Sequence, residues 1–320
     1  MNINMNQMQP QPQQPQPANI PDASRIIVIG DVHGDIERLI KLLVTIGIFS
    51  TNLEWIAQPR DTIVIQLGDQ IDSLSRRLDR GGDLQWETSP DLEVLVLMDK
   101  LDEIAKNSSD GRGRVLSLIG NHEIMNVLGI FAYVSENSMN KTGGAEIRES
   151  LLRPGSQIGT ILAKRNVVCK IGPFLFCHGG ILPQHLEVVY NNFDTINMCM
   201  RKYLLGKEQL SPEELFVMNQ VICEENNGII WTRKYIELAT YQPEVLEMLM
   251  DVICEKTNTM VVFVGHNTVD TIKRVADGKL YFTDTGFSRS YPLHENYVEV
   301  IEIMKKDSSY NVETLRVFIQ

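Results

Sequence analysis

The chain has 320 residues, 43% of them hydrophobic and 22% charged, with a formal net charge of −11. Such a length and apolar content suffice for one large domain or two small ones. The acidic balance argues against a general nucleic-acid binder, which would carry a basic face.

No apolar run reaches the roughly 18 residues that a membrane span requires, and no signal-peptide pattern opens the chain. The cysteines (Cys169, Cys177, Cys199, Cys223 and Cys254) are odd in number and lack Cys-x-x-Cys spacing. Reduced core thiols in a cytosol-like, reducing compartment fit better than structural zinc or a disulfide framework. Residues 1–22 are rich in Gln, Pro and Asn, cannot bury a core, and are expected to be a disordered tail, either a docking arm or inert. Residues 23–320 are expected to form a single domain.

Strands and helices then alternate. "RIIVI" (Arg25–Ile29) reads as a buried strand running into "GDVHGD" and a helix near Asp35–Ile46. "DTIVIQL" (Asp61–Leu67) ends in "GDQID", and a helix over Asp91–Lys106 precedes "RVLSLI" (Arg114–Ile119), which ends in "GNHE". A hairpin around Gly172–Pro173 ends in "HGG", a helix-rich stretch covers about Leu186 to Met250, and "MVVFV" (Met260–Val264) ends in "GHN". Later segments, "KLYFTD", "YVEVIEI" and "ETLRVFI", alternate in strand fashion. The class is α/β.

Five strands therefore end in polar clusters: Asp31/His33, Asp69/Asp72, Asn121/His122, His178 and His266. A lone histidine after a strand is more often a satisfied surface or core residue than a ligand. Five such clusters in succession are hard to read that way, because strand carboxyl ends on one sheet edge converge on a common crevice. Burying these groups unpaired would cost several kcal/mol per charge, a cost that cations would offset. Carboxylates with neutral imidazoles and an amide oxygen suit Mn, Fe or Zn better than Mg. The donors exceed what one ion needs, which points to two.

The order GDxH, GDxxD, GNHE, HGG, GH resembles that of the calcineurin-like metallophosphoesterases and, among them, the phosphoprotein phosphatases. The likeness runs from Arg25 to about Tyr291 and is greatest to the Shewanella-like protein phosphatases, through Arg153–Leu186, "GIIWTRKY" and "FTDTGFSRSY". It implies a metallophosphatase fold, a central β-sandwich flanked by α-helices, with a dimetal site at the carboxyl ends of the strands. It also implies that Asp31 and His33 bind one metal ion, that Asp69 bridges two, and that Asn121, His178 and His266 bind the second. His122 would protonate the leaving oxygen with Asp72 orienting its ring, while a hydroxide shared by the metals attacks phosphorus in line. No covalent phosphoenzyme is required, and Cys177 is expected to be core.

Two departures bear on substrate. Where the phosphoprotein phosphatases continue Asp-Arg-Gly, Asp72 is followed by Ser73 and Leu74, and an arginine-rich loop follows. Its Arg76, Arg77 or Arg80 either contacts phosphate or lies on a solvated loop; Arg233 is the stronger candidate, since a guanidinium fork binds two phosphate oxygens at once. Gly265-His266 also lacks the second histidine that many phosphodiesterase relatives carry. Helical segments near 135–155 and 186–257 are expected to cover the mouth of the site and set specificity. The expected function is a phosphomonoesterase acting on phosphoproteins, at Ser/Thr or Tyr, with no nucleic-acid or membrane partner. Alternatives are a hydrolase of dinucleoside polyphosphates or another small phosphoester and, remotely, an inactive binding adaptor.

Overall fold

In the computed structural model, residues 14–75, 86–188, 192–223, 225, 227–291 and 293–319 are described. The strands in chain order are β1 (Asn19–Ile20), β2 (Arg25–Ile29), β3 (Ile63–Gln66), β4 (Arg114–Ser117), β5 (Val168–Ile171), β6 (Phe174–Cys177), β7 (Val261–Val264), β8 (Lys273–Val275), β9 (Leu280–Phe282), β10 (Tyr297–Lys306) and β11 (Ser309–Phe318). They form two sheets, ordered β11-β10-β2-β3-β4 and β1-β5-β6-β7-β9-β8. Within the first, β2, β3 and β4 run parallel; within the second, β6, β7 and β9 do. Each parallel trio needs crossover connections, and its strands all end on the same edge.

Alternation along the strands explains why the two sheets face each other. Ile26, Val28, Ile63, Ile65 and Leu116 pack with Phe174, Phe176, Phe263 and Tyr281 from the other sheet, filling the sandwich. The intervening residues Ile27, Ile29, Val64 and Val115 face outward onto Leu39, Leu42, Leu97 and Leu101 of the helices Ile36–Thr45 and Glu93–Ser108. Period-two side-chain direction thus gives each strand two buried faces, which is why the runs read as continuously apolar.

Helices Phe193–Leu205 and Pro243–Thr257 cover the outer face of the six-stranded sheet, burying Ile196, Met200, Leu246, Met250 and Ile253 with Val168, Leu175, Val262 and Leu280. Much of the 186–257 segment, expected over the mouth of the site, is therefore a core layer. No helix among the described residues is long and apolar enough to cross a membrane.

The Gln/Pro-rich tail differs from its expectation. Met1–Gln13 lie outside the described residues, but 14–22 are docked: β1 pairs with β5, and the nearly buried Gln16 accepts from the Ser117 N–H at 3.1 Å. Asn166 Nδ2 donates to the carbonyls of Gln16 and Pro17 at 3.2 and 3.1 Å. Backbone groups at a sheet edge and two amide side chains hold this stretch, so it needs no apolar content to be ordered.

Candidate metal centre

The parallel strands of both sheets deliver their carboxyl ends to one crevice. There the chain turns sharply, and at four turns the turning residue is one of the predicted side chains. His33, Asp69, Asp72 and His266 have φ of +43°, +53°, +71° and +61°. The left-handed region costs a non-glycine residue on the order of 1 kcal/mol or more, and such residues cluster where function demands them. Two glycines permit close approach: a Cβ at Gly120 would lie 2.2 Å from Asp69 Oδ1, and one at Gly265 would lie 2.3 Å from Asp31 Oδ1.

The predicted side chains meet. Donor atoms of Asp69, His178 and His266 lie within 4.8 Å of one another, as do those of Asp69, His33 and His122, so Asp69 belongs to both groups. Asp31 is in neither tight group; its two oxygens each lie 3.1 Å from the backbone nitrogen of His266, beside the group that holds His178 and His266. Asn121 Oδ1 sits 2.9 Å from His178 Nε2.

Backbone carbonyls fix three of the imidazoles. His33 Nδ1 donates to Ile71 O at 3.0 Å, His178 Nδ1 to Leu67 O at 2.8 Å, and His266 Nε2 to Trp231 O at 2.9 Å. A carbonyl can only accept, so each of those nitrogens carries the hydrogen and the other ring nitrogen is left for the crevice. His178 Nε2 then faces Asn121 Oδ1 and, at 3.1 Å, Asp69 Oδ2. Among the described residues no lysine or arginine pairs with Asp31 or Asp69.

The local field reflects this surplus of acceptors. Burial and then the Asp284 carboxylate push Asp31 well above the usual carboxylate range. Burial acts the same way on Asp69, but the His178, His122 and His33 imidazoles outweigh it and hold Asp69 well below that range. Burial disfavours a charged His178, yet Asp69 and Asp31 raise its pKa to about 10. Burial, His178 and Arg233 keep His266 low, as suits a neutral ligand. The donor set fits divalent cations: carboxylate and amide oxygens with imidazole nitrogens gathered at one crevice, and no lysine or arginine paired with Asp31 or Asp69 among the described residues.

His122 is held differently. Its Nδ1 lies 2.7 Å from Asp72 Oδ2, and its Nε2 is 3.7 Å from Asp69 Oδ2. Spacing alone would admit His122 as a ligand; the Asp72 contact instead matches the pair expected from sequence. Beneath it, Asn126 Nδ2 donates to Asp72 Oδ1 at 2.8 Å, and the fully buried Arg148 spans Asp91 with contacts of 2.7 and 2.9 Å.

Other supporting residues were not singled out from sequence. Glu123, in "GNHE", accepts from the N–H groups of Asp69 (3.0 Å), Gln70 (2.7 Å) and Gly120 (2.7 Å), clamping the Asp69 turn to the start of helix Asn121–Val127. Gln66 donates to the carbonyls of Gly30 and Gly68, tying two turns together. Asp284, just past β9, is a sixth strand-end group, accepting from Thr268 Oγ1 at 2.6 Å. The second acid of "GDVHGD", Asp35, caps helix Ile36–Thr45 and pairs with Arg289 at 2.6 Å.

Arg233 is exposed at the rim, with Nη1 3.3 Å from His266 O and 3.2 Å from Asn267 Oδ1. Arg76, Arg77 and Arg80 lie outside the described residues. Cys177 is fully buried and burial pushes its thiol up, as expected of a packing residue.

The family model for calcineurin-like phosphoesterase matches residues 24–300. The chain is 25% identical to Shewanella-like protein phosphatase 2 of Arabidopsis thaliana, over 91% of this chain and 77% of that protein. It is 23% identical to Shewanella-like protein phosphatase 1 of Plasmodium berghei, over 94% of this chain and 76% of the relative. Among solved structures, it resembles a cold-active protein-tyrosine phosphatase of a psychrophilic Shewanella with a TM-score of 0.69 and 21% identity, covering 95% of this chain and 83% of the other.

Proposed function

Because the chain belongs to the calcineurin-like phosphoesterase family and is a phosphatase, a hydrolase of phosphate esters, we propose that it removes phosphate from phosphoproteins with the help of two divalent cations, Mn, Fe or Zn. In this reading Asp31 and His33 would hold one cation and Asn121, His178 and His266 the other, with Asp69 available to both. The observation that carries it is the membership of Asp69 in two donor groups, with a histidine–carboxylate pair alongside.

When bound, the cations supply Lewis acidity toward phosphate oxygens and acidify a water enough to make it a nucleophile near neutral pH. The chain's residues do the rest. Asp72 holds His122 through Nδ1, which leaves Nε2 to give a proton to the departing alkoxide or phenoxide. Arg233 reaches from the rim to grip non-reacting phosphate oxygens, where its positive charge also offsets charge gathering in the transition state. The names of the relatives, protein phosphatases from a plant and a parasite and a tyrosine phosphatase from a bacterium, support phosphoproteins as the substrate class.

The test is hydrolysis by metal-stripped protein refilled separately with Mn, Fe/Zn or Mg, on phosphothreonine, phosphoserine and phosphotyrosine peptides beside a dinucleoside polyphosphate. Faster turnover of a phosphopeptide with Mn or Fe/Zn is expected. Preference for the dinucleotide would move the protein to the small-phosphoester branch.

A further inference from the structure

Arg148 has no part in the reading above, yet with Arg165 it is the largest fully buried side chain among the described residues. It comes from helix Ala145–Leu152, in the polar, glycine-broken segment expected to cover the site, and turns inward instead. Its Nη atoms bind Asp91 at 2.7 and 2.9 Å, its Nε donates to Asn126 Oδ1 at 2.7 Å, and Nη2 reaches Asp72 Oδ1 at 3.4 Å. Asp91 in turn accepts from the Asp72 N–H at 2.8 Å and from Ser138 Oγ at 2.6 Å.

The consequence lies in the orientation of two flippable groups. An amide can present either end, but Arg148 Nε, a donor, demands the oxygen of Asn126, which turns Nδ2 toward Asp72 Oδ1. With Oδ1 taken by Asn126 and Arg148, only Oδ2 of Asp72 is left for His122 Nδ1, at 2.7 Å. A buried Arg–Asp pair adds little net stability over apolar packing, so stability alone is a weak reason for its presence.

We propose that Arg148, with Asp91 as its counter-ion, is a positioning residue for proton delivery: it locks Asn126 and Asp72 so that His122 keeps Nδ1 on Asp72 and Nε2 on the leaving oxygen. The proposal rests on His122 being the acid. Removing Arg148 alone strips a counter-ion from two buried carboxylates and risks unfolding, so the working variant pairs Arg148→Gln with Asp91→Asn, deleting both charges together.

The Mn-loaded full chain is assayed on a phosphopeptide, whose leaving group needs a proton, and on 2,4-dinitrophenyl phosphate, whose leaving group does not. The expected result is a kcat loss of roughly tenfold or more on the phosphopeptide, at nearly constant KM, and under about threefold on the activated ester. Adding His122→Asn should then bring the total loss only to that of His122→Asn alone, less than the product of the two separate losses, because residues acting as a unit are not additive. Equal loss on both substrates, no loss on either, or full additivity overturns the proposal. His122→Asn by itself is the control. If it lacks leaving-group selectivity, the acid assignment fails; if it has it and the Arg148/Asp91 variant does not, only the role of Arg148 fails.

Discussion

On the His122 flank of the crevice, the buried carboxylates Asp72 and Asp91 each meet a protein partner of suitable charge. Burial pushes Asp91 up, but Arg148 outweighs it and holds Asp91 low, while Asp72 faces His122, Asn126 and Arg148. Across the crevice, Asp31 and Asp69 face imidazoles, an amide oxygen and Asp284. One flank is complete with protein atoms alone; the other gathers carboxylates, imidazoles and an amide oxygen, the donor types that hold divalent cations. Metal removal should therefore disturb the two flanks unequally, and the variants below probe each in turn.

The largest effect is expected on the self-sufficient flank. His122→Asn should slow kcat by roughly a hundredfold or more, the usual scale for a general acid, while bound metal measured by elemental analysis stays nearly unchanged. Loss of metal along with rate would make His122 a ligand and erase the distinction between the flanks.

Glu123→Gln sharpens the comparison from the other side. Its carboxylate accepts three backbone N–H groups around the Asp69 turn, and an amide would set a donor against at least one of them. Weakening of cation affinity by about 10- to 100-fold, with about 1–3 kcal/mol of lost stability, is expected from metal titration and thermal melting. Unchanged affinity would mean that Asp69 needs no such clamp.

A smaller effect belongs to neither flank. His185 is buried, its Nδ1 accepts from the Leu182 N–H at 3.0 Å, and burial lowers its pKa from 6.5 to about 4. Between these values the unfolded chain binds the proton and the folded chain does not, so stability is full above pH 6.5 and falls as pH drops toward 4. The loss amounts to about 3 kcal/mol at most. In chemical denaturation, His185→Gln should flatten that slope while leaving cation binding intact. A slope that survives the substitution would place the titration in the crevice instead.

Much of this was legible in sequence because the signal was local. Apolar runs such as "RIIVI" ending in Gly-Asp, Gly-Asn or Gly-His give both the strand and the candidate ligand at its end, and side-chain alternation does the rest. Long-range partners were not visible. Arg148 sits in a stretch that reads as surface, and only the fold shows its fork on Asp91. Asp284 follows a three-residue strand, Leu280–Phe282, with no histidine beside it. Gln66 and Gln70 look like ordinary polar residues until their amides are seen bridging turns. The docking of Gln16 depends on backbone groups, which composition does not report.

The central claim, a pair of cations sharing Asp69, is tested most directly by adding Mn²⁺ to metal-stripped protein and following binding by electron paramagnetic resonance. Two equivalents should bind and give the multiline spectrum of an exchange-coupled pair, and Asp69→Asn should weaken both positions together. A single equivalent with an uncoupled six-line signal, or an Asp69→Asn protein that keeps one site at full affinity, would contradict the account.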